Sequence, residues 1–233
     1  MNPSPKVYVI IPAFDEEQSI AKVIHDIPKD VVSSVYVGNN NSKDNTEQVA
    51  KDAGAIVLTE KRMGYGYACL ICMNAIEELP KEQQPDIIVF IDGDYSDFPE
   101  KIPELIKPII ENDMDMVIGS RVLGKAEKGS LTPVQKFGNA LSTFLIRHLY
   151  KVNYTDLGPF RAIKWKQLLA LKMHDKTYGW TVEMQAKAAK AGMKTTEIAV
   201  PYRVRIGTSK VSGTIKGSVL AGYKILFTIF KYI

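Results

Sequence analysis

Ile87-Ile88-Val89-Phe90-Ile91-Asp92-Gly93-Asp94 is an unbroken apolar run that ends on two acids flanking a glycine. A central parallel strand needs such a run, because helices cover both of its faces and leave no place for polar alternation. The strand delivers Asp92 and Asp94 to its C-terminal end, the edge of an open α/β sheet where ligands bind. Two Asp side chains around Gly93 offer hard oxygen ligands to Mg²⁺ or Mn²⁺, ions that also hold substrate phosphates. A plain polar turn is the other reading of the same residues.

Working outward, strand-like segments at 7–11, 34–37, 55–58, 87–91 and 116–118 alternate with helical periodicity at 19–27, 45–53, 66–79 and 102–111. This alternation predicts an α/β fold with a mostly parallel sheet and right-handed crossovers. From Leu131 the pattern changes to longer helices and loops. With 233 residues, 45% hydrophobic and 24% charged, the chain has the composition of an ordinary globular domain. The net charge of +4 is mild and no Lys/Arg run forms a stripe, which argues against a nucleic-acid partner. Met1 leads almost at once into the first strand, without the charged and apolar regions of a secretory signal, so a cytoplasmic location is expected. Cys69 and Cys72 form a C-x-x-C inside an apolar helical run with no second pair to complete a zinc tetrahedron; core packing is expected for both.

The loops at the C-terminal strand ends carry the polar chemistry. After the first strand, Pro12 stiffens a turn through Ala13 and Phe14 into Asp15, Glu16 and Glu17 near a helix start. After the second comes a loop from Asn39 through Asn41 to Thr46, dense in groups able to pair with a nucleobase edge. After the third, Arg62-Met63-Gly64-Tyr65-Gly66 opens a helix with glycines that let backbone approach a phosphate. Turns are polar and glycine-rich for structural reasons as well. Their convergence on the edge that holds the Asp pair favours a site.

Taken in order and spacing, Pro12-Ala13-x-x-Glu16, the 39–46 loop, Gly64-x-Gly66-x-Ala68, Asp92-x-Asp94 and Gly119-Ser120-Arg121 resemble the family 2 inverting glycosyltransferases of the GT-A fold. Asp156-Leu157-Gly158-Pro159-Phe160-Arg161, Tyr178-Gly179-Trp180-Thr181-Val182-Glu183 and Arg203-x-Arg205-x-Gly207-x-Ser209-Lys210 look like segments of the dolichyl- and polyprenyl-phosphate mannose or glucose synthases. The resemblance implies transfer from a UDP-glucose or GDP-mannose type of donor to a lipid phosphate, with inversion. It places Pro12, Ala13, Asp15, Glu16, Asn39, Asn41, Arg62, Gly64, Asp92 and Gly93 around the donor, and gives Asp92 and Asp94 the metal, Mg²⁺ or Mn²⁺. Asp94, Arg121 and Arg203 become the catalytic candidates. Asn39 stands where the family usually has an Asp that pairs with the base, and Tyr95 where many mannose synthases have Gln. Base preference and a third protein ligand of the metal are therefore open.

A lipid monophosphate is nearly dianionic, judging by a second pKa of about 6. It is already a nucleophile and needs no general base, so its site should be rich in Arg and Lys. Arg121, Arg161, Arg203, Arg205 and Lys210 are the candidates for clamping its phosphate. Two helical segments suit contact with a membrane surface. Thr132-Pro133-Val134-Gln135 reads as a capping box launching a helix through Tyr150. From Gly217 onward, a polar stripe of Gly217, Ala221, Lys224, Thr228 and Lys231 opposes Leu220, Tyr223, Leu226, Phe227 and Phe230, the pattern of a helix lying in the interface. Residues 1–213 are expected to form the catalytic domain and 214–233 a membrane-interface helix, giving a peripheral protein on the cytoplasmic face. Docking of that helix against the chain's own core or a membrane partner protein competes with this, and a homo-oligomer is the remaining partner class. A soluble or saccharide acceptor is the alternative function; it needs a carboxylate base, for which Asp156 is the candidate. A noncatalytic nucleotide-binding scaffold is the third reading, disfavoured by the paired acids and the basic loop.

Overall fold

The computed structural model describes residues 4–208 and 215–233. Its centre is a seven-stranded sheet in the order β3-β2-β1-β4-β6-β5-β7. Strands β1 (Val7–Ala13), β2 (Val32–Asn39), β3 (Ile56–Thr59) and β4 (Ile87–Phe90) run parallel, and β1 sits between β2 and β4. All four expected elements are present, joined by α1 (Ile20–His25), α2 (Thr46–Asp52) and α3 (Tyr65–Glu77). Alternate residues of each strand supply the two sides of the core. Val7, Val9, Ile11, Val37 and Val89 pack on the side of α1 and α4 (Ile102–Asn112), while Tyr8, Ile10, Tyr36 and Phe90 pack on the side of α3. Cys69 and Cys72 are free and fully buried on that second side, as core packing required.

The second half departs from the expected run of helices and loops. Strand β6 (Arg161–Lys164) inserts antiparallel between β4 and β5 (Met116–Ser120), and β7 (Thr195–Ala199) adds a parallel edge beyond β5. Neither strand announces itself in the sequence. β6 is four residues long with a charge at each end, and β7 is a half-buried edge of Thr and Glu. Helix α6 (Trp165–Leu171) follows β6 and packs on it, and three longer helices complete this half. Helix α5 (Pro133–Tyr150) opens with the expected capping box, Thr132 and Gln135 each bonding the other's backbone N–H. Helix α7 (Trp180–Lys190) buries Trp180 against Phe90. Helix α8 (Ile215–Lys231) lies against α5 and α7.

Helix α8 docks by a mixed face: Ile229 is fully buried and Ile225 packs on the core beside inward polar groups, while Lys231 is exposed. Thr228 is buried, and Lys224 turns inward to Asp175 at 2.9 Å. Tyr150 donates to the Ile229 carbonyl and Tyr232 to Glu183, pinning the helix by polar contacts. Leu220, Tyr223, Phe227 and Phe230 face outward, Tyr223 with 69% of its surface exposed. On neighbouring α5, Val134, Phe137 and Phe144 are exposed as well, while the small Ser142 and Thr143 are buried.

Candidate active site

Parallel pairing in register sets the loops side by side: Ala13 lies opposite Asn39, and β4 leaves the sheet on the other side of β1. Three non-glycine residues just past these ends adopt left-handed backbone, Asp15 at φ 53°, Asn41 at φ 59° and Tyr95 at φ 64°. Such conformations cost about 1 kcal/mol or more each and gather where function over-determines the backbone. Pro12, Ala13 and Gly93 lie buried at the strand ends. Asp15 ties the first loop to the second, its backbone donating to Ser42 and its carboxylate accepting from the Lys43 N–H.

Asp92 accepts a hydrogen bond from the Tyr65 hydroxyl at 2.9 Å. Asp94 uses Oδ1 for Ser96, accepting from its backbone N–H at 2.9 Å and its hydroxyl at 2.6 Å. Its Oδ2 faces Arg205 Nη1 at 3.2 Å, and Arg205 Nη2 donates to Glu16 Oε1 at 2.6 Å. Burial, and then the charge of Asp94, push the Asp92 carboxyl up to about 7. Burial also lifts Glu16 to about 7, against the pull of Arg205. Desolvation is the larger cause of both shifts, and Arg205 offsets it only in part.

The Asp92 and Asp94 carboxylates are the groups here that would hold a divalent cation. Among the described residues no group of three or more His, Cys, Asp and Glu side chains is arranged to hold a metal. Two carboxylates suit a hard ion that fills the rest of its shell with water and substrate phosphates.

The segment 202–208 crosses this turn as a strap. Backbone bonds from Arg203 N to Ser96 O and from Ile206 N to Asp94 O fasten it. Arg203 lies between the rings of Tyr95 and Phe98, 3.5 Å and 4.1 Å from their centroids, and donates to the Tyr95 and Asp97 carbonyls. Arg203 thus reaches the turn after the Asp pair, and Arg205 reaches Asp94 itself, from more than a hundred residues away. Lys210 lies outside the described residues. A cavity of about 380 Å³ opens beside the strap, between Asp15, Glu17, Lys43 and Gly207.

Several expected roles change. Arg161 is fully buried in β6, where it donates to the Thr181, Leu157 and Gly158 carbonyls. Burial lowers its pKa to about 10. A guanidinium sealed in the core does not reach an acceptor phosphate in this conformation, and its carbonyl partners explain why it is retained there. Arg121 forms a bidentate pair with Asp156 and covers the Tyr202 ring at 5.0 Å. Asn39 commits its amide to Glu47 and Thr59, which turns it inward from a base.

Gly64 and Gly66 do allow a close approach, made by protein: side chains there would strike the Lys176 and Asp175 carbonyls. The Gly64 N–H is taken by Asn40 Oδ1 at 2.7 Å. Arg62 pairs with Glu60 and lies over Tyr67, lining a second cavity of about 480 Å³.

Sequence reading missed Tyr65, Ser96 and Asp97. Ser96 was findable, since Asp-x-Ser is a side-chain-capped turn. Asp97 is buried with neither carboxylate oxygen hydrogen-bonded to any described residue. Burial, and then the neighbouring Asp92 and Asp94, push its pKa well above the ordinary carboxylate value. No local pattern foretells that state.

Paired acids at the C-terminal edge of a parallel sheet, crossed by a basic strap, define a transferase that handles phosphorylated donors. Residues 8–170 match the family model Glycosyl transferase family 2, and the chain belongs to that family: it is a glycosyltransferase. An uncharacterised glycosyltransferase of Mycobacterium bovis is 31% identical over 217 residues, which span 92% of this chain and 94% of the relative. A UDP-N-acetylglucosamine–dolichyl-phosphate N-acetylglucosaminyltransferase of Methanococcus voltae is 25% identical over 96% of this chain and 94% of its own. Among solved structures, glucosyl-3-phosphoglycerate synthase of Mycobacterium tuberculosis, in complex with Mn²⁺, UDP and phosphoglyceric acid, shares the GT-A fold. Its TM-score is 0.75 at 19% identity, covering 98% of this chain and 78% of that one.

Proposed function

We propose that this glycosyltransferase moves a sugar from a nucleotide-sugar donor onto a polyprenyl-type lipid phosphate at a membrane surface, with inversion and with a divalent cation held by Asp92 and Asp94. The observation that carries the acceptor assignment is the exposed apolar surface of α8. Lys224 is held inward by Asp175 and Ile229 by the core, and Leu220, Tyr223, Phe227 and Phe230 face out beside Phe137 and Phe144 of α5. Exposed aromatic area of that kind suits the acyl boundary of a bilayer. Our assignment is to peripheral contact on the cytoplasmic face; among the described residues no helix is long and apolar enough to cross a membrane.

The metal, when bound, stabilises charge developing on the departing diphosphate. The chain's own residues do the rest. Arg205, at the Asp94 carboxylate, supplies a planar fork for phosphate oxygens. Arg203, fixed between two rings, keeps the strap on the turn. An acceptor phosphate oxygen attacks the anomeric carbon while the bond from that carbon to the diphosphate oxygen breaks, and no proton needs removal.

A saccharide acceptor would need a base, and Asp156 has both oxygens bound by Arg121, with Oδ2 also accepting the Arg121 N–H at 2.8 Å. The Methanococcus voltae relative, named for a dolichyl-phosphate acceptor, supports the same reading. The test is a panel of UDP- and GDP-sugars with Mg²⁺ or Mn²⁺ and a short polyprenyl phosphate. Labelled product is expected in the organic phase. Transfer to a free sugar or phosphoglycerate at equal rate, without lipid phosphate, would move the assignment to a soluble acceptor.

A further inference from the structure

We propose that Arg205 is a placeholder cation: its guanidinium occupies the seat between Glu16 and Asp94 until a donor arrives, and it makes tight metal binding conditional on the nucleotide diphosphate. The inference rests on the reading that Asp92 and Asp94 hold the metal.

Competition for one atom is the core of it. Asp94 Oδ1 is committed twice to Ser96, so Oδ2 is the oxygen left for a cation, and that oxygen faces Arg205 Nη1. The second nitrogen of the same fork is 2.6 Å from Glu16 Oε1. A bare divalent ion approaching Asp94 has to displace a guanidinium bridged between two carboxylates in a largely dehydrated cleft, where such bridges are strongest.

A donor changes the balance. Its diphosphate brings negative charge and planar oxygen pairs that suit the displaced fork, so Arg205 exchanges carboxylates for phosphates without ever being left unpaired. The anchoring favours a side-chain exchange over an opening of the strap. Backbone bonds hold Arg203 to Ser96 and Ile206 to Asp94 on either side of Arg205. In the donor-free position the Arg205 Nε is buried without a hydrogen-bond partner among the described residues, a donor group this rotamer leaves unused. The consequence is that metal and nucleotide load together, and the acids are not left holding an ion in the wrong shell. Because coupling is reciprocal, the metal must raise nucleotide affinity by the factor by which nucleotide raises metal affinity.

The experiment is a titration with Mn²⁺ followed by the paramagnetic resonance signal of the free ion. It uses the full chain as wild type, Arg205→Gln and Arg205→Lys, alone and with saturating UDP or GDP. Wild type should bind Mn²⁺ roughly 10-fold or more tightly with its nucleotide than without. Arg205→Gln should bind Mn²⁺ alone roughly 10-fold more tightly than wild type, reducing the nucleotide dependence by about that factor while direct ligation by the phosphates keeps the rest, and Arg205→Lys should return toward wild type. A residue that only supported the fold would weaken metal binding when lost, so a gain separates the two roles. Equal Mn²⁺ affinity of wild type and Arg205→Gln without nucleotide, with nucleotide-dependent binding intact in both, overturns the placeholder alone. If Arg205→Gln does not fold, wild type binding Mn²⁺ equally with and without nucleotide overturns it. Failure of every form to bind Mn²⁺ even with UDP or GDP overturns it together with the metal assignment.

Discussion

Arg121 and Asp156, 35 positions apart, meet through two parallel bonds, Nε to Oδ2 at 2.8 Å and Nη2 to Oδ1 at 2.7 Å. The pair joins the loop after β5 to the loop before β6, and Asp156 is almost entirely buried. Removing one partner strands the other's charge in a dry site. Arg121→Ala and Asp156→Asn should each lower stability by about 3–5 kcal/mol, read from urea midpoints at unchanged slope. If Asp156 were a base instead, Asp156→Asn would leave the midpoint in place and abolish only turnover.

The proposed metal role places the greater catalytic load on Asp94. Asp94→Ala should reduce transfer by about 10³-fold or more, and chelation of divalent ions should reduce the wild type comparably, since the charge on the leaving diphosphate then lacks its main stabiliser. The folded state should lose only about 1 kcal/mol with the Ser96 turn bonds. Radiolabel transfer assays and thermal melts separate the two effects. Full activity in excess chelator would remove the metal from the mechanism.

The outward face of α8 makes a separable prediction. Tyr223 and Phe227 are 69% and 50% exposed and stack on each other at 6.3 Å. The double change Tyr223→Glu with Phe227→Glu should cut co-sedimentation with anionic lipid vesicles about 10-fold or more, given about 1.5–3 kcal/mol for each buried aromatic ring. The melting temperature and turnover with a detergent-dispersed acceptor should change little. Unaltered vesicle binding would detach the helix from the membrane role.

Acid stability isolates Glu60. The Arg62 hydrogen bond holds its carboxyl down to about 2, from an ordinary value of 4.5. A depressed carboxylate contributes stability above its unfolded pKa and loses it as pH falls toward the folded value, here between about 4.5 and 2. Arg62 is 67% exposed, so solvent screening keeps the contribution small. Glu60→Gln should therefore narrow the gap to wild type as pH drops from 6 to 3 in urea titrations. A gap constant with pH would show that the pair contributes nothing.

The apolar run 87–91 and the acids after it fixed the middle of the sheet and the edge on which the site stands, because a strand buried on both faces and its exit are local matters of composition. For the same reason the helix starting at Thr132 and the burial of Cys69 and Cys72 could be read from neighbouring residues alone. Tertiary structure alone decided the partners of the charged groups. Whether an arginine reaches a cleft, as Arg205 does, or is sealed among carbonyls, as Arg161 is, depends on which distant backbone surrounds it. The same holds for the two sides of α8. Periodicity defines a polar and an apolar stripe, but the side turned inward is set by Asp175 waiting for Lys224, a contact no span of local sequence encodes.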